Sequence, residues 1–136
     1  MTGGLTCDTS VLVPVPLSWH ENHLAARHAV LGEVQHVPAH VLLECYSVLT
    51  RLPAPLRVSA ESAADVVARL PMAALVLPAD VHRGLVADLG RARIGGGALY
   101  DALVAATARH HGLRLLTRDR RARTTYDVVG MEYTVL

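Results

Sequence analysis

The run Gly95-Gly96-Gly97-Ala98-Leu99-Tyr100-Asp101-Ala102-Leu103-Val104-Ala105-Ala106-Thr107-Ala108, followed by Gly112, Leu113-Arg114-Leu115-Leu116 and Thr117-Arg118-Asp119, decides how this chain is read. The three glycines make a loop that stiffer residues would not replace cheaply, and a helix is expected directly after them. Over 98–108 that helix is apolar on nearly every side, which predicts burial rather than an amphipathic surface position. Its single full charge, Asp101, stands in the first turn, where the helix dipole favours a carboxylate. Burying that charge is costly unless something positive meets it. No Lys or Arg lies between Asp101 and Arg109, so solvent or a cation must answer it. The short strand expected over 113–116 then places a second carboxylate, Asp119, at its carboxyl end.

Working outward, residues 5–8 read as a buried strand ending in the polar turn Asp8-Thr9-Ser10. Pro14 and Pro16 interrupt, and Ser18 is a candidate cap for a helix over 19–32. A second strand is expected over 34–37. Pro38 suits the first turn of a helix reaching about Leu52, whose apolar set Val41, Leu42, Cys45, Val48, Leu49 and Leu52 makes one stripe with Glu44 at its margin. Ser59 should cap a helix over 60–70, residues 73–77 a third strand, and Pro78 open a helix to about Gly90. After the fourth strand come one helical turn around 120–123 and a last strand over 131–135. Strands alternating with helices imply a parallel sheet covered on both faces. The expectation is one α/β domain spanning 1–136: a three-layer α/β/α fold with about five parallel strands in the order 3-2-1-4-5. In that order the winding reverses between strands one and four, and ligands bind at such a switch point. Asp8 and Asp119 end those two strands. Asp101 and Glu44 enter from neighbouring helices.

Composition narrows the classes of function. The chain has 136 residues, net charge +1 and about half its residues hydrophobic, so it is neither disordered nor a globally basic nucleic-acid binder. No apolar run reaches the roughly 18 residues that span a bilayer. The run 11–17 is broken by prolines and has no basic residue before it, unlike a signal peptide; a cytoplasmic location without membrane association is the expectation. Cys7 and Cys45 read as reduced core thiols. All thirteen cationic residues are Arg, and Arg114, Arg118, Arg120, Arg121 and Arg123 crowd ten positions. Arg118, Arg120 and Arg121 are candidates for phosphate contacts; the plainer alternative is a solvated surface with Arg118 paired to Asp119. His20/His23 and His36/His40 have ligand-like spacing, but no cysteine pair supports a zinc site. Trp19, Tyr46 and Tyr100 are expected in the core or at an interface rather than as base-stacking platforms.

Four acids converging would suit a hard cation such as Mg²⁺ or Mn²⁺. The Asp8-Thr9-Ser10 start, Glu44 on its helix, the block from Gly97 to Ala108, and Leu115-Leu116-Thr117-Arg118-Asp119-Arg120 together resemble the PIN-domain ribonucleases, in particular the VapC-type toxins of bacterial toxin–antitoxin pairs. The resemblance covers essentially the whole chain. It implies a PIN-like fold, Asp8, Glu44, Asp101 and Asp119 as catalytic and metal-holding residues for Mg²⁺ (or Mn²⁺), and Ser10 and Thr117 as supporting hydroxyls. It implies a metal-dependent endoribonuclease that hydrolyses RNA phosphodiester bonds, a VapB-type antitoxin as partner, and a homodimer or a toxin–antitoxin hetero-oligomer. One departure stands out. Many relatives carry a further acid and a phenylalanine just after the position of Asp119, whereas this chain has Arg121 and no Phe; the carboxylates number four rather than five.

Competing chemistries fit less well. A receiver-type phosphoacceptor needs a lysine, and there is none. An aspartyl-phosphate phosphatase needs a second Asp where Ser10 stands. The remaining alternative is a PIN-like module that binds RNA or protein without cutting.

Overall fold

Strands β1 (Gly4–Cys7) and β4 (Leu113–Thr117) run side by side in parallel, with Thr6 opposite Leu115 and Cys7 opposite Leu116. A computed structural model describes residues 3–136. β5 (Tyr133–Val135) adds in parallel to β4, while β2 (His36–Pro38) and β3 (Ala73–Leu75) pair as a separate two-stranded piece. The two pieces touch through a single bridge between Leu5 and Val34. Across it the strands follow β3-β2-β1-β4-β5, the expected order, but the sheet is not continuous. The ladder stops where the Thr6 hydroxyl donates to the His36 carbonyl at 2.8 Å, occupying an acceptor that a strand N–H would use. Pro38, two residues on, has no N–H to offer.

Leu115 and Leu116 point to opposite faces of β4 and both are buried, so both faces must be covered. Helix α6 (Ala98–His110) packs against β4 and β2, α1 (Thr9–Leu12) against β4, and α3 (Ala39–Thr50) against β2. Ala102 and Val104 to Ala108 of α6 are buried as expected, but its first turn is open: Leu99 and Tyr100 are 38% and 51% exposed. Arg109 and His110 occupy its last turn, where positive charge suits the dipole, and Gly112, with φ of +70°, turns the chain into β4.

The remaining helices show where local signals suffice. Ser59 caps α4 (Ala60–Ala68), its side chain accepting the Ser62 N–H at 3.2 Å, and α5 (Ala79–Ala92) starts behind Pro78. The expected helix over 19–32 is shorter, α2 (His23–Val30), and Ser18 does not cap it. Behind the two prolines the chain runs through successive turns, Leu17 N to Pro14 O and His20 N to Leu17 O, and the His20 ring accepts the Asn22 N–H at 3.0 Å. At the other end the single turn expected around 120–123 is a 3-10 turn (Arg120–Ala122) that continues into α7 (Arg123–Val129). That extra helix carries Tyr126 into the core, where it is 1% exposed. Cys7 and Cys45 are buried and unpaired with each other; burial pushes the Cys45 thiol up to about 11 and raises Cys7 further, with Asp8 adding to it. Trp19, Tyr46 and Tyr100 are all exposed, so none belongs to the core.

Candidate active site

Asp8 leaves the carboxyl end of β1 and caps α1, and its neighbour across the sheet, β4, delivers Thr117 and then Asp119. The Asp8 N–H bonds to the Leu116 carbonyl at 3.1 Å, which ties the two strand ends together. Glu44 comes from the middle of α3 and Asp101 from the first turn of α6. All four carboxylates line one cavity of about 90 Å³, with Thr9, Ser10, Val104 and Tyr126 completing its wall. Larger cavities exist elsewhere, among them a groove of about 390 Å³ lined mainly by aliphatic residues with Asp88, Arg109 and His110 also on its wall, but it gathers no cluster of carboxylates.

The strand side of the cavity is built from hydroxyls. The Ser10 hydroxyl accepts the Arg118 N–H at 2.8 Å and donates to Asp8 Oδ1 at 2.5 Å. The Thr117 hydroxyl accepts the Asp119 N–H at 3.0 Å and donates to Asp8 Oδ2. Two backbone amides of the β4 exit thus turn both hydroxyl protons toward one carboxylate. The Ser10 N–H adds a third bond to Oδ1 at 3.0 Å, and the Tyr126 hydroxyl donates to Oδ2 at 2.7 Å. A carboxylate offers about four acceptor sites, and on Asp8 all four are taken. Burial, followed by the Asp8 charge and its hydrogen bond, raises the Tyr126 phenol well above its usual range, so it stays a donor.

Glu44 and Asp119 are less constrained. Glu44 Oε1 accepts the Thr9 hydroxyl at 3.1 Å, and His40 Nε2 lies 3.8 Å from the same oxygen. Asp119 Oδ1 accepts the Arg121 N–H at 3.0 Å and lies 3.6 Å from Arg121 Nε. Arg118 does not pair with Asp119; its guanidinium bonds Asn22 Oδ1 at 2.8 Å. Arg120 and Arg121 stand exposed on the 3-10 turn.

Asp101 differs from the other three. Among the described residues its side chain accepts no hydrogen bond. Burial, then repulsion from Asp119, Glu44 and Asp8, pushes its carboxyl from an ordinary 3.8 up to about 6, and only Arg121 opposes this. The cavity therefore carries more negative charge than Arg121 alone offsets. Among the described residues no three His, Cys, Asp or Glu side chains are drawn close enough to form a ready-made metal cage. A cation such as Mg²⁺ keeps several of its waters and takes only one or two carboxylates directly. Each water needs ~10–15 Å³ of probe-filled space, so the cavity can hold a hydrated ion.

The sequence reading brings together Asp8, Glu44, Asp101 and Asp119, with Ser10 and Thr117 beside them, and the structure places all six at one site. It gave no role to Thr9, though it read the turn that holds it, and it missed Tyr126, which approaches through the fold and carries no local signal. An acidic cleft at the carboxyl ends of adjacent parallel strands defines the class of site. The PIN-domain family model matches residues 5–128, which include every one of these residues. Ribonuclease VapC40 of Mycobacterium tuberculosis is 45% identical over 126 residues, 92% of this chain and 93% of the relative. Ribonuclease VapC27 of the same organism is 39% identical over 131 residues, 96% of each. The chain belongs to the PIN-domain family, in its VapC group.

Proposed function

We propose that this protein is a divalent-cation-dependent endoribonuclease acting as the toxin of a toxin–antitoxin pair. The observation that carries the reading is the shared cavity of four carboxylates in which Asp101 lacks any hydrogen-bond donor and is strained toward protonation by its neighbours. A cation is what such a site lacks. The donors are all hard oxygens, which fits Mg²⁺ or Mn²⁺. When bound, such an ion supplies a more acidic water and neutralises charge on a phosphoryl group. Asp8, Asp101, Glu44 and Asp119 would hold it, with Ser10, Thr117 and Tyr126 fixing the orientation of Asp8, which would give up one of these donors to the ion. The exposed Arg120 and Arg121 would contact the RNA backbone; Arg118, engaged with Asn22, is less free to do so.

Both relatives are named ribonucleases, and their VapC designation, with the family resemblance, supports a VapB-type antitoxin as partner and self-association as a dimer. No helix among the described residues is long and apolar enough to cross a membrane; the proposed cytoplasmic location rests on the VapC relatives. One observation favours the other reading, a module that binds RNA without cutting: every acceptor site of Asp8 is already occupied. The test is purified protein on total cellular RNA with Mg²⁺, with Mn²⁺ and with EDTA, beside Asp101→Asn. Discrete fragments that need the metal and vanish in the variant are expected. No cleavage by folded protein free of antitoxin would establish the non-cutting module instead.

A further inference from the structure

The two helices that supply Glu44 and Asp101 also meet through a pair of rings. His40 lies one turn before Glu44 on α3, and Tyr100 immediately precedes Asp101 on α6. The ring centroids are 5.2 Å apart and the planes 8° from parallel. The His40 side chain is only 23% exposed, and its Nε2 lies 3.8 Å from Glu44 Oε1. Tyr100 is 51% exposed. The tyrosine ring therefore makes an offset stack with a partly buried imidazole beside Glu44, and half of its surface opens to solvent.

Resting on the ribonuclease reading, we propose that Tyr100, seated on His40, is a stacking platform for a nucleobase of single-stranded RNA whose backbone enters the carboxylate cavity. A cavity of four carboxylates repels a phosphate backbone, so the site needs binding energy that does not depend on charge. Stacking on an aromatic face provides it and tolerates every base. The ring costs little to order on binding because His40 already fixes its plane. The base must be free of a duplex to reach it, which selects loops and single strands. The phosphate contacts of Arg120 and Arg121 add affinity that salt removes; the platform adds affinity that salt leaves alone.

The experiment measures binding of a short single-stranded RNA carrying 2-aminopurine, in EDTA, by anisotropy and by base fluorescence. Wild type should bind and quench the base. Tyr100→Ala should bind about 5- to 150-fold more weakly and lose the quench, while Tyr100→Phe and Tyr100→Trp stay within about threefold of wild type. The slope of log affinity against log salt should be the same in Tyr100→Ala as in wild type. Tyr100→Ala binding like wild type, or Tyr100→Phe binding as weakly as Tyr100→Ala, would overturn the platform. So would a change in sedimentation with RNA affinity untouched, which would assign Tyr100 to a contact between proteins. Wild type that cleaves RNA in Mg²⁺ but shows no quench overturns the platform alone; wild type that neither cleaves nor binds RNA overturns the ribonuclease reading with it.

Discussion

Asp8 and Asp101 face one cavity and are built in opposite ways. Asp8, on the strand side, accepts four hydrogen bonds from three residues and is 6% exposed. Asp101, on the helix side, accepts none among the described residues and is held near other carboxylates that repel it. The difference teaches that a polar site divides its labour. One acid is satisfied by the protein and gives the cavity a fixed wall. The other is left unsatisfied, and in the proposed function that repulsion is what favours taking up a cation.

The largest expected effect comes from making the same substitution on both sides. Asp8→Asn and Asp101→Asn should each lower metal-dependent RNA cleavage by more than about 100-fold, beyond what supporting residues around a metal site usually contribute. Their effects on metal-free stability should have opposite signs. Asparagine at 8 turns one acceptor oxygen into a donor facing donors, which costs about 1–3 kcal/mol and lowers Tm. Asparagine at 101 removes repulsion and raises Tm. Thermal melts in EDTA decide it, and shifts of the same sign in both variants would break the comparison.

Tyr126→Phe probes the strand side more gently. The ring keeps its place in the core, while Asp8 Oδ2 loses a bond of 2.7 Å. Cleavage is expected to fall about 10- to 100-fold, as for residues that orient a metal ligand, with stability lower by about 1.5–3 kcal/mol. Cleavage that rises instead would show that the hydroxyl withholds Asp8 from the cation and does not position it.

The smallest effect concerns pH. Because the Asp101 carboxyl is raised to about 6, the folded protein holds a proton there that the unfolded chain has released. This group's contribution to metal-free stability is therefore fully present below about pH 4 and is lost as pH rises toward 6. Cation affinity should move the other way, since the carboxylate must be ionised to bind. Calorimetric titration with Mn²⁺ should show about tenfold tighter binding at pH 7.5 than at pH 5, and Asp101→Asn should flatten that dependence. An equal slope in the variant would place the titrating group elsewhere.

Much of this was legible before any coordinates. The four acids could be named because each sits beside a local signal: Asp8 and Asp119 at strand ends, Asp101 behind a glycine loop, Glu44 at the margin of an apolar stripe. Periodicity misled where two turn-forming prolines precede a helix, so α2 began at His23 and not at 19, and where the apolar pattern of α6 hid the open turn that exposes Tyr100. The plainer reading of Arg118 paired it with its sequence neighbour Asp119; the fold sends its side chain to Asn22.

What the sequence by itself determined was the alternation of strands and helices and the placing of the four acids at strand ends and helix starts or margins. Those follow from hydrophobic period, caps and turn residues, which act over a few positions. Only the tertiary structure decided how those residues are employed. Tyr126 reaches Asp8 across 118 positions and Thr117 across 109, and no local pattern records such a meeting. A carboxylate is closed or open to a cation according to which donors the packed chain brings within about 3 Å of it, and that is a property of the fold.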